Sequence, residues 1–289
     1  MNSIYSRLQN EEYTKELCAQ LVKIGAQSRI IGQSVMGREI PVLTLGTGKR
    51  RLLYLCGTHA AETVAGNVLL AFAYELLTQR EICAISCRQA LSKCTLHMIP
   101  LLNPDGAEIA QGRIRNEDRP RLLFFNEGNE DFSRWQANAR GVDLNHNFDA
   151  DFARGKLLER EHHIFGPSPT RYGGKEPFSE PETAAVRDFI EKEDIHALFA
   201  FHTQGEEIYH AGKGSGAMAR IFAKACGYAV SAPEGIAACR GAKDWFCATY
   251  DRPGFTIEMG RGENPLPVQD SRAIYRKCRE MLMLTTIIS

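Results

Sequence analysis

Three short apolar runs constrain the fold of this chain most. They are Leu52-Leu53-Tyr54-Leu55-Cys56, Ala197-Leu198-Phe199-Ala200-Phe201 and Phe255-Thr256-Ile257, the last lying within Gly254 to Met259. They lack the polar alternation of a strand with one face in water, so they read as strands buried on both faces, which need helices above and below the sheet. Such helices are present. Glu11 to Ile24 is an amphipathic opening helix, and Thr63 to Leu77 is a long apolar helix following the run that ends at Cys56. Ile40 to Leu45 and Arg51 to Cys56, bounded by glycines, read as paired strands, and Thr95 to Leu101 as another, ended by a turn at Asn103-Pro104-Asp105-Gly106. Ser179-Glu180-Pro181-Glu182 reads as a capping box with proline in the first turn of a helix to about Glu193. The alternation predicts an α/β fold with a largely parallel sheet covered on both faces, in one domain over 1–289.

Two stretches, Glu108 to Arg140 and Glu159 to Phe178, break the pattern. They are rich in Gly, Pro, Asn and charge, and too long for simple connections. Long structured loops in a compact domain are often functional, so both are expected to wall a site.

Charge narrows the partners. Lys plus Arg and Asp plus Glu are equal at 35 each, so no global field draws nucleic acid or an anionic membrane. Small molecules and peptides remain. The nine cysteines are scattered without the density of a disulfide scaffold, and several sit in apolar runs, as a reduced thiol does. Residues 1–10 have no apolar signal core, and no stretch approaches the roughly 18 apolar residues of a membrane span. A cytoplasmic location is the expectation.

The chemistry starts at Cys56-Gly57-Thr58-His59-Ala60-Ala61-Glu62, where a strand ends and a helix begins, the usual ligand position in an open α/β sheet. An imidazole and a carboxylate three residues apart can share one zinc ion. A helix-start Glu beside a hydrogen-bonded His would look the same. His202 supplies a third ligand type, again at a strand's end, and a catalytic zinc site takes three protein ligands with one position open. Glu258 lies in an otherwise apolar strand, where a charge needs a partner or a task. A buried salt bridge would explain it in isolation. Beside two histidines and a glutamate, a catalytic carboxylate explains more.

His59-Ala60-Ala61-Glu62, Asn103-Pro104-Asp105-Gly106, Gly141-Val142-Asp143-Leu144-Asn145, His202 and Phe255-Thr256-Ile257-Glu258 follow in the order of the zinc carboxypeptidases related to carboxypeptidase A, which the chain resembles from about Ile31 to Pro267. Ser34 to Ile40 and Gly241 to Trp245 resemble further signatures of that family. The resemblance implies a three-layer α/β/α domain around a twisted, mixed sheet of about eight strands, and one zinc ion held by His59, Glu62 and His202. It implies Glu258 as general base, Asp143 as the carboxylate orienting His59, and Asn145 as a contact to the substrate's terminal carboxylate. An Asx turn would suit Asp143 equally well.

Departures from the pattern bear on specificity. Where carboxypeptidase A has Asn-Arg, this chain has Asn145-His146; the oxyanion arginine falls on Gln136 and the lid tyrosine on Ile236. Arg140 and Arg240 lie near these positions and are candidates to replace the lost charge. Asn126 to Asn145, Tyr172-Gly173-Gly174 and Gly241 to Phe246 are similar to the bacterial γ-D-glutamyl-diamino acid peptidases, which implies cleavage of a γ-D-glutamyl bond in cell-wall stem peptides. Two other readings use the same residues: a zinc N-acyl amino acid deacylase of the succinylglutamate desuccinylase or aspartoacylase kind, and a non-catalytic zinc or peptide binder. Cys83, Cys87, Cys94 and His97 lack the spacing of a structural zinc site and are expected to be buried thiols and a strand histidine.

Overall fold

A computed structural model describes residues 2–233, 235 and 241–288. Among them, eight strands form one mixed sheet: β1 (Gln27–Gln33), β2 (Glu39–Leu45), β3 (Arg50–Cys56), β4 (Cys94–Ile99), β5 (Ala197–His202), β6 (Glu207–Ala211), β7 (Ala229–Val230) and β8 (Gly254–Glu258). Their spatial order is β1-β2-β4-β3-β5-β8-β6-β7. The central four, β4, β3, β5 and β8, are mutually parallel. The β1-β2, β2-β4 and β8-β6 pairs are antiparallel. The sheet is therefore more mixed than the strand-helix alternation alone predicts. The edge strand β1 was not foreseen; it is mostly exposed and lacks an apolar run.

Side chains of successive residues in the buried strands go to opposite faces. Leu52, Tyr54 and Cys56 of β3 join one core with helices α1 (Glu11–Lys23), α2 (Val64–Thr78), α3 (Ser215–Cys226) and α4 (Ser271–Ile288). Leu53 and Leu55 join the other, with α5 (Pro181–Glu193) and α6 (Ala242–Tyr250) through Val186, Phe189, Trp245 and Phe246. This is the three-layer arrangement expected.

The expected pairing of β2 with β3 is not found, because β4 lies between them. The loop from Gly46 to Lys49 steps across the start of β4, where Thr47 N–H donates to the Leu91 carbonyl (2.9 Å) and Gly48 N–H to that of Cys94 (3.2 Å). A Cβ on Gly48 would lie 1.9 Å from the Lys93 carbonyl carbon, so only glycine allows the passage. The glycines read as a hairpin boundary are there for this crossing.

Two other local expectations are corrected. Asn103-Pro104-Asp105-Gly106 opens a short helix, Pro104–Ala110; Asn103 Oδ1 caps it by accepting the Gly106 N–H (2.9 Å), with proline in the first turn. Ser179 is not the cap of α5. That position is Glu180, without a side-chain capping bond, and Ser179 instead accepts from Asn147 (2.9 Å) and donates to the Glu180 carboxylate (3.0 Å). The stretch from Glu108 to Arg140 contains a helix, Arg119–Phe125, and a small core of its own built on Leu122, Phe132, Trp135, Ala137 and Ala139. Its apolar residues pack together without a regular period, so periodicity alone could not reveal them.

Candidate active site

Three neighbouring strands, β3, β5 and β8, end on the same side of the sheet and present the chemistry there. β3 runs into Gly57, whose φ of +63° and close approach to Leu101 (2.7 Å from a built Cβ) suit glycine alone. The turn beyond it brings His59 and Glu62 back over the strand ends. β5 ends at His202 and β8 at Glu258, and these two residues face each other across the parallel pair.

His59, Glu62 and His202 converge, with candidate ligand atoms all within 4.8 Å of one another. Glu62 Oε1 is 2.9 Å from His59 Nδ1, Glu62 Oε2 is 2.9 Å from His202 Nδ1, and the two Nδ1 atoms are 3.2 Å apart. On its other side His59 Nε2 lies 3.3 Å from Asp143 Oδ1. A proton on Nε2 directed at Asp143 leaves the Nδ1 lone pair facing Glu62 and His202. Two imidazole nitrogens and a carboxylate that close can hold one cation between them. Their chemistry, two nitrogens and one oxygen, fits zinc.

Electrostatics agree. Burial opposes a charge on His59, but Glu62 and Asp143 hold its pKa well above the ordinary imidazole value. Burial pushes Glu62 up, yet His59 and His202 bring it down to about 2. Asp143, also buried, is held well below the usual carboxylate range by His146 and His59. Glu258 goes the other way: burial, reinforced by the Glu62 carboxylate, raises it well above the ordinary value. A carboxylate with a raised pKa beside ionised ones is suited to move a proton.

Glu62 is also fixed from outside. Its oxygens accept from the Thr203 N–H (3.3 Å) and Asn264 Nδ2 (3.2 Å). Asn264, which sequence reasoning missed, lies 202 residues from Glu62 in the chain, and no local pattern connects them. Asp143 makes the contacts of both readings considered for it. Oδ1 contacts His59 and accepts the Asn145 N–H (3.1 Å) in a local turn, while Oδ2 accepts the Arg171 N–H (2.8 Å).

The residue 12–283 segment matches the family model described as zinc carboxypeptidase. The chain belongs to that family. Among curated relatives, the gamma-D-glutamyl-L-diamino acid endopeptidase 1 of Lysinibacillus sphaericus is 33% identical over 87% of this chain and 65% of its own length. The YqgT protein of Bacillus subtilis (strain 168) is 32% identical over 86% of this chain and 68% of its own. The chain thus spans about two thirds of the length of these relatives. Among solved structures, thrombin activatable fibrinolysis inhibitor superposes with a TM-score of 0.75 at 19% identity, covering 98% of this chain and 74% of that one, which shows the shared fold.

In this zinc carboxypeptidase Glu62 contacts both imidazoles, and His59, His202 and Glu258 border a cavity of about 200 Å³. Asn145, His146 and Gln136 line it as the sequence suggested. His146 Nδ1 is bound to the Arg171 carbonyl (2.9 Å), and Gln136 Oε1 accepts from Thr170. Arg140 does not reach the cavity. Its guanidinium turns to the buried Glu180 carboxylate (3.5 Å), whose charge draws it away. Arg171, not singled out in the sequence, lines the cavity instead, on backbone at φ +67° that places it beside His146. Lys243 lines it too and was also missed. Ile236 and Arg240 lie outside the described residues. Among the described residues the His59, Glu62 and His202 group is the one metal-competent cluster found, so Cys83, Cys87, Cys94 and His97 do not gather at an ion. No helix among those residues is long and apolar enough to cross a membrane.

Proposed function

We propose that this chain is a zinc peptidase hydrolysing the bond between γ-D-glutamate and a diamino acid in cell-wall stem peptides. The observation that carries the peptidase reading is the convergence of His59, Glu62 and His202 on one point, beside a cavity that Glu258 also borders. The narrower substrate is supported by the 33% identity to a γ-D-glutamyl-L-diamino acid endopeptidase over most of this chain. In this reading residues 1–289 serve as one catalytic domain, a single zinc ion is the cofactor, and a small murein peptide is the substrate.

Zinc bound by His59, Glu62 and His202 would supply Lewis acidity toward the scissile carbonyl and the attacking water. Glu258 takes the proton of that water and returns it to the departing amine. Asp143 keeps His59 in the tautomer that offers Nδ1 to the metal. Asn145, His146, Gln136 and Arg171 are the polar groups placed to grip the peptide. The eight cysteines among the described residues are unpaired, which favours a reducing compartment such as the cytoplasm.

The test is incubation of the zinc-loaded protein with stem tripeptides and tetrapeptides, N-acetyl-aspartate, N-succinyl-glutamate and plain L-dipeptides, followed by mass spectrometry. Release of the diamino acid fragment from the γ-glutamyl peptides is expected. Turnover of the N-acyl amino acids alone would overturn the proposal in favour of a deacylase.

A further inference from the structure

A second pocket, of about 370 Å³, opens at the other end of the sheet, where β3 and β4 begin. Arg51 in its wall precedes Cys56, the last residue of β3, by five positions, roughly 17 Å along the strand. Strand register builds this pocket. Thr44 pairs with both Gln27 and His97, so β1, β2 and β4 place these three side chains in one row across one face. Leu53 of β3 continues the row as the partner of His97. Arg29 and Arg51 stand two residues from Gln27 and Leu53, and share that face because side chains alternate. The two guanidinium groups thus flank His97, one from β1 and one from β3, and all three residues line the pocket.

His97 is what ordinary packing leaves unexplained. It is only 4% exposed. Nδ1 lies 3.0 Å from Thr44 Oγ1, while Nε2 is buried and has no hydrogen-bond partner among the described residues. Glu193 Oε2 faces it at 3.8 Å, beyond hydrogen-bond reach. Burial lowers the His97 pKa to about 4; Glu193 opposes that shift, and Arg29 and Arg51 add to it. A neutral imidazole is therefore held beside two guanidinium groups with one nitrogen unmet, a cost that an apolar side chain would avoid. The arginines themselves have partners. Arg29 binds the Glu193 carboxylate, and Arg51 donates to the Glu193 carbonyl (3.2 Å) and lies 3.7 Å from Asp194. Asp194 is also taken by Arg252 (2.7 Å), so three guanidinium groups face two carboxylates and one positive charge is left over. That surplus repels a cation and attracts an anion.

We infer that this pocket binds a phosphoryl group, free or on a small ester, which takes the place of the Glu193 carboxylate among Arg29, Arg51 and His97. Glu193 marks where an oxyanion sits and fills the place poorly, since one oxygen meets Arg29 and the other falls short of Nε2. It is the last residue of α5, so its side chain can turn to solvent without disturbing the helix. With the Thr44 hydroxyl donating to Nδ1, the ring proton is on Nε2 and becomes a third donor between the two arginines. A tetrahedral phosphoryl group turns oxygens toward all three donors, whereas a planar carboxylate pairs with one guanidinium fork and leaves the rest. The site shares no residue with the catalytic cavity and stands whether or not the proposed function does.

The experiment is calorimetric titration of the zinc-loaded full chain with inorganic phosphate, glycerol phosphate and succinate at fixed ionic strength. Wild type is expected to bind phosphate saturably with a Kd on the order of 1 mM, the value of two charge-assisted hydrogen bonds, and succinate more weakly. Binding of either phosphate source upholds the site and says which source it takes. Arg51→Gln should weaken phosphate by about tenfold or more, and Glu193→Gln should tighten it, because the competing charge is gone. Phosphate held at the zinc would respond to neither change, so unchanged affinity in both variants overturns the inference. So does a wild type that takes succinate as tightly as phosphate, or one that binds no phosphate below about 10 mM. Should either variant fail to fold, wild-type crystals soaked in phosphate decide. Density among Arg29, Arg51 and His97 upholds the site, and an unmoved Glu193 with no such density removes it.

Discussion

The two halves of the cavity are built differently. On one side His202 and Glu258 end adjacent strands and His59 and Glu62 follow a third, all beside a close-packed core. On the other, Gln136, Asn145, His146, Thr170 and Arg171 come from irregular segments held by hydrogen bonds to one another. Under the proposed function, the strand-borne half would decide where a bond can be broken, and the loop-borne half which molecule can lie there. Changes in the first should therefore act on metal content and kcat, and changes in the second on KM.

The most damaging test of that division is His202→Ala. Purified protein should lose stoichiometric zinc by elemental analysis and with it all measurable hydrolysis; a full complement of zinc in the variant would show that the ligand set is misassigned. Glu258→Gln comes next. Zinc content should stay at one per chain while kcat falls by about 10²–10⁴-fold, the usual contribution of a positioned base. Rates like those of wild type would move the proton to another group.

Asn145→Ala probes the loop-borne half and should raise KM by about tenfold, the value of one hydrogen bond, with kcat changed far less. A collapse of kcat with KM unchanged would dissolve the comparison.

The smallest expected effect concerns how the loops are anchored. Glu182, buried in the first turn of α5, accepts from the Val35 N–H (3.1 Å) and Asn138 (3.3 Å). Burial, despite bonds from the Glu182 and Val35 backbone N–H groups and with the help of the nearby Asp105 and Glu180 charges, raises its pKa to about 7. The folded state thus holds a proton that the unfolded chain releases from about pH 4.5 upward. Stability from this group is full below pH 4.5 and declines as pH rises to about 7, a slope worth a few kcal/mol by linkage. Glu182→Gln should flatten the dependence of Tm on pH across that window. An unchanged slope would place the titration elsewhere.

The sequence revealed these halves unequally. His202 and Glu258 stand out because each is a polar residue ending an apolar strand, and His59 and Glu62 because they share the short turn after one, a contrast visible in a few neighbouring letters. Arg171 and Lys243 give no such signal. One owes its position to a left-handed backbone in a long loop, the other to a glycine on a different strand, and both are facts of tertiary packing. Arg140 shows the converse: proximity in the chain to Asn145 suggested a shared site, whereas the charge of Glu180 decided its direction. In the fold, helices and buried strands followed from pattern, but the passage of β4 between β2 and β3 depends on a loop crossing that no period encodes.

The distance in sequence between the two imidazoles has a further consequence. His59 and His202 are 143 residues apart, on β-structure whose strands pair only through long crossovers. An unfolded chain cannot present them together, so an ion that needs both recognises the finished fold and not its precursors. By mass action, a ligand of that kind at a thousand times its Kd adds about 4 kcal/mol to the free energy of unfolding. Chelation would then act on this protein twice, removing a Lewis acid and lowering the temperature at which the sheet comes apart.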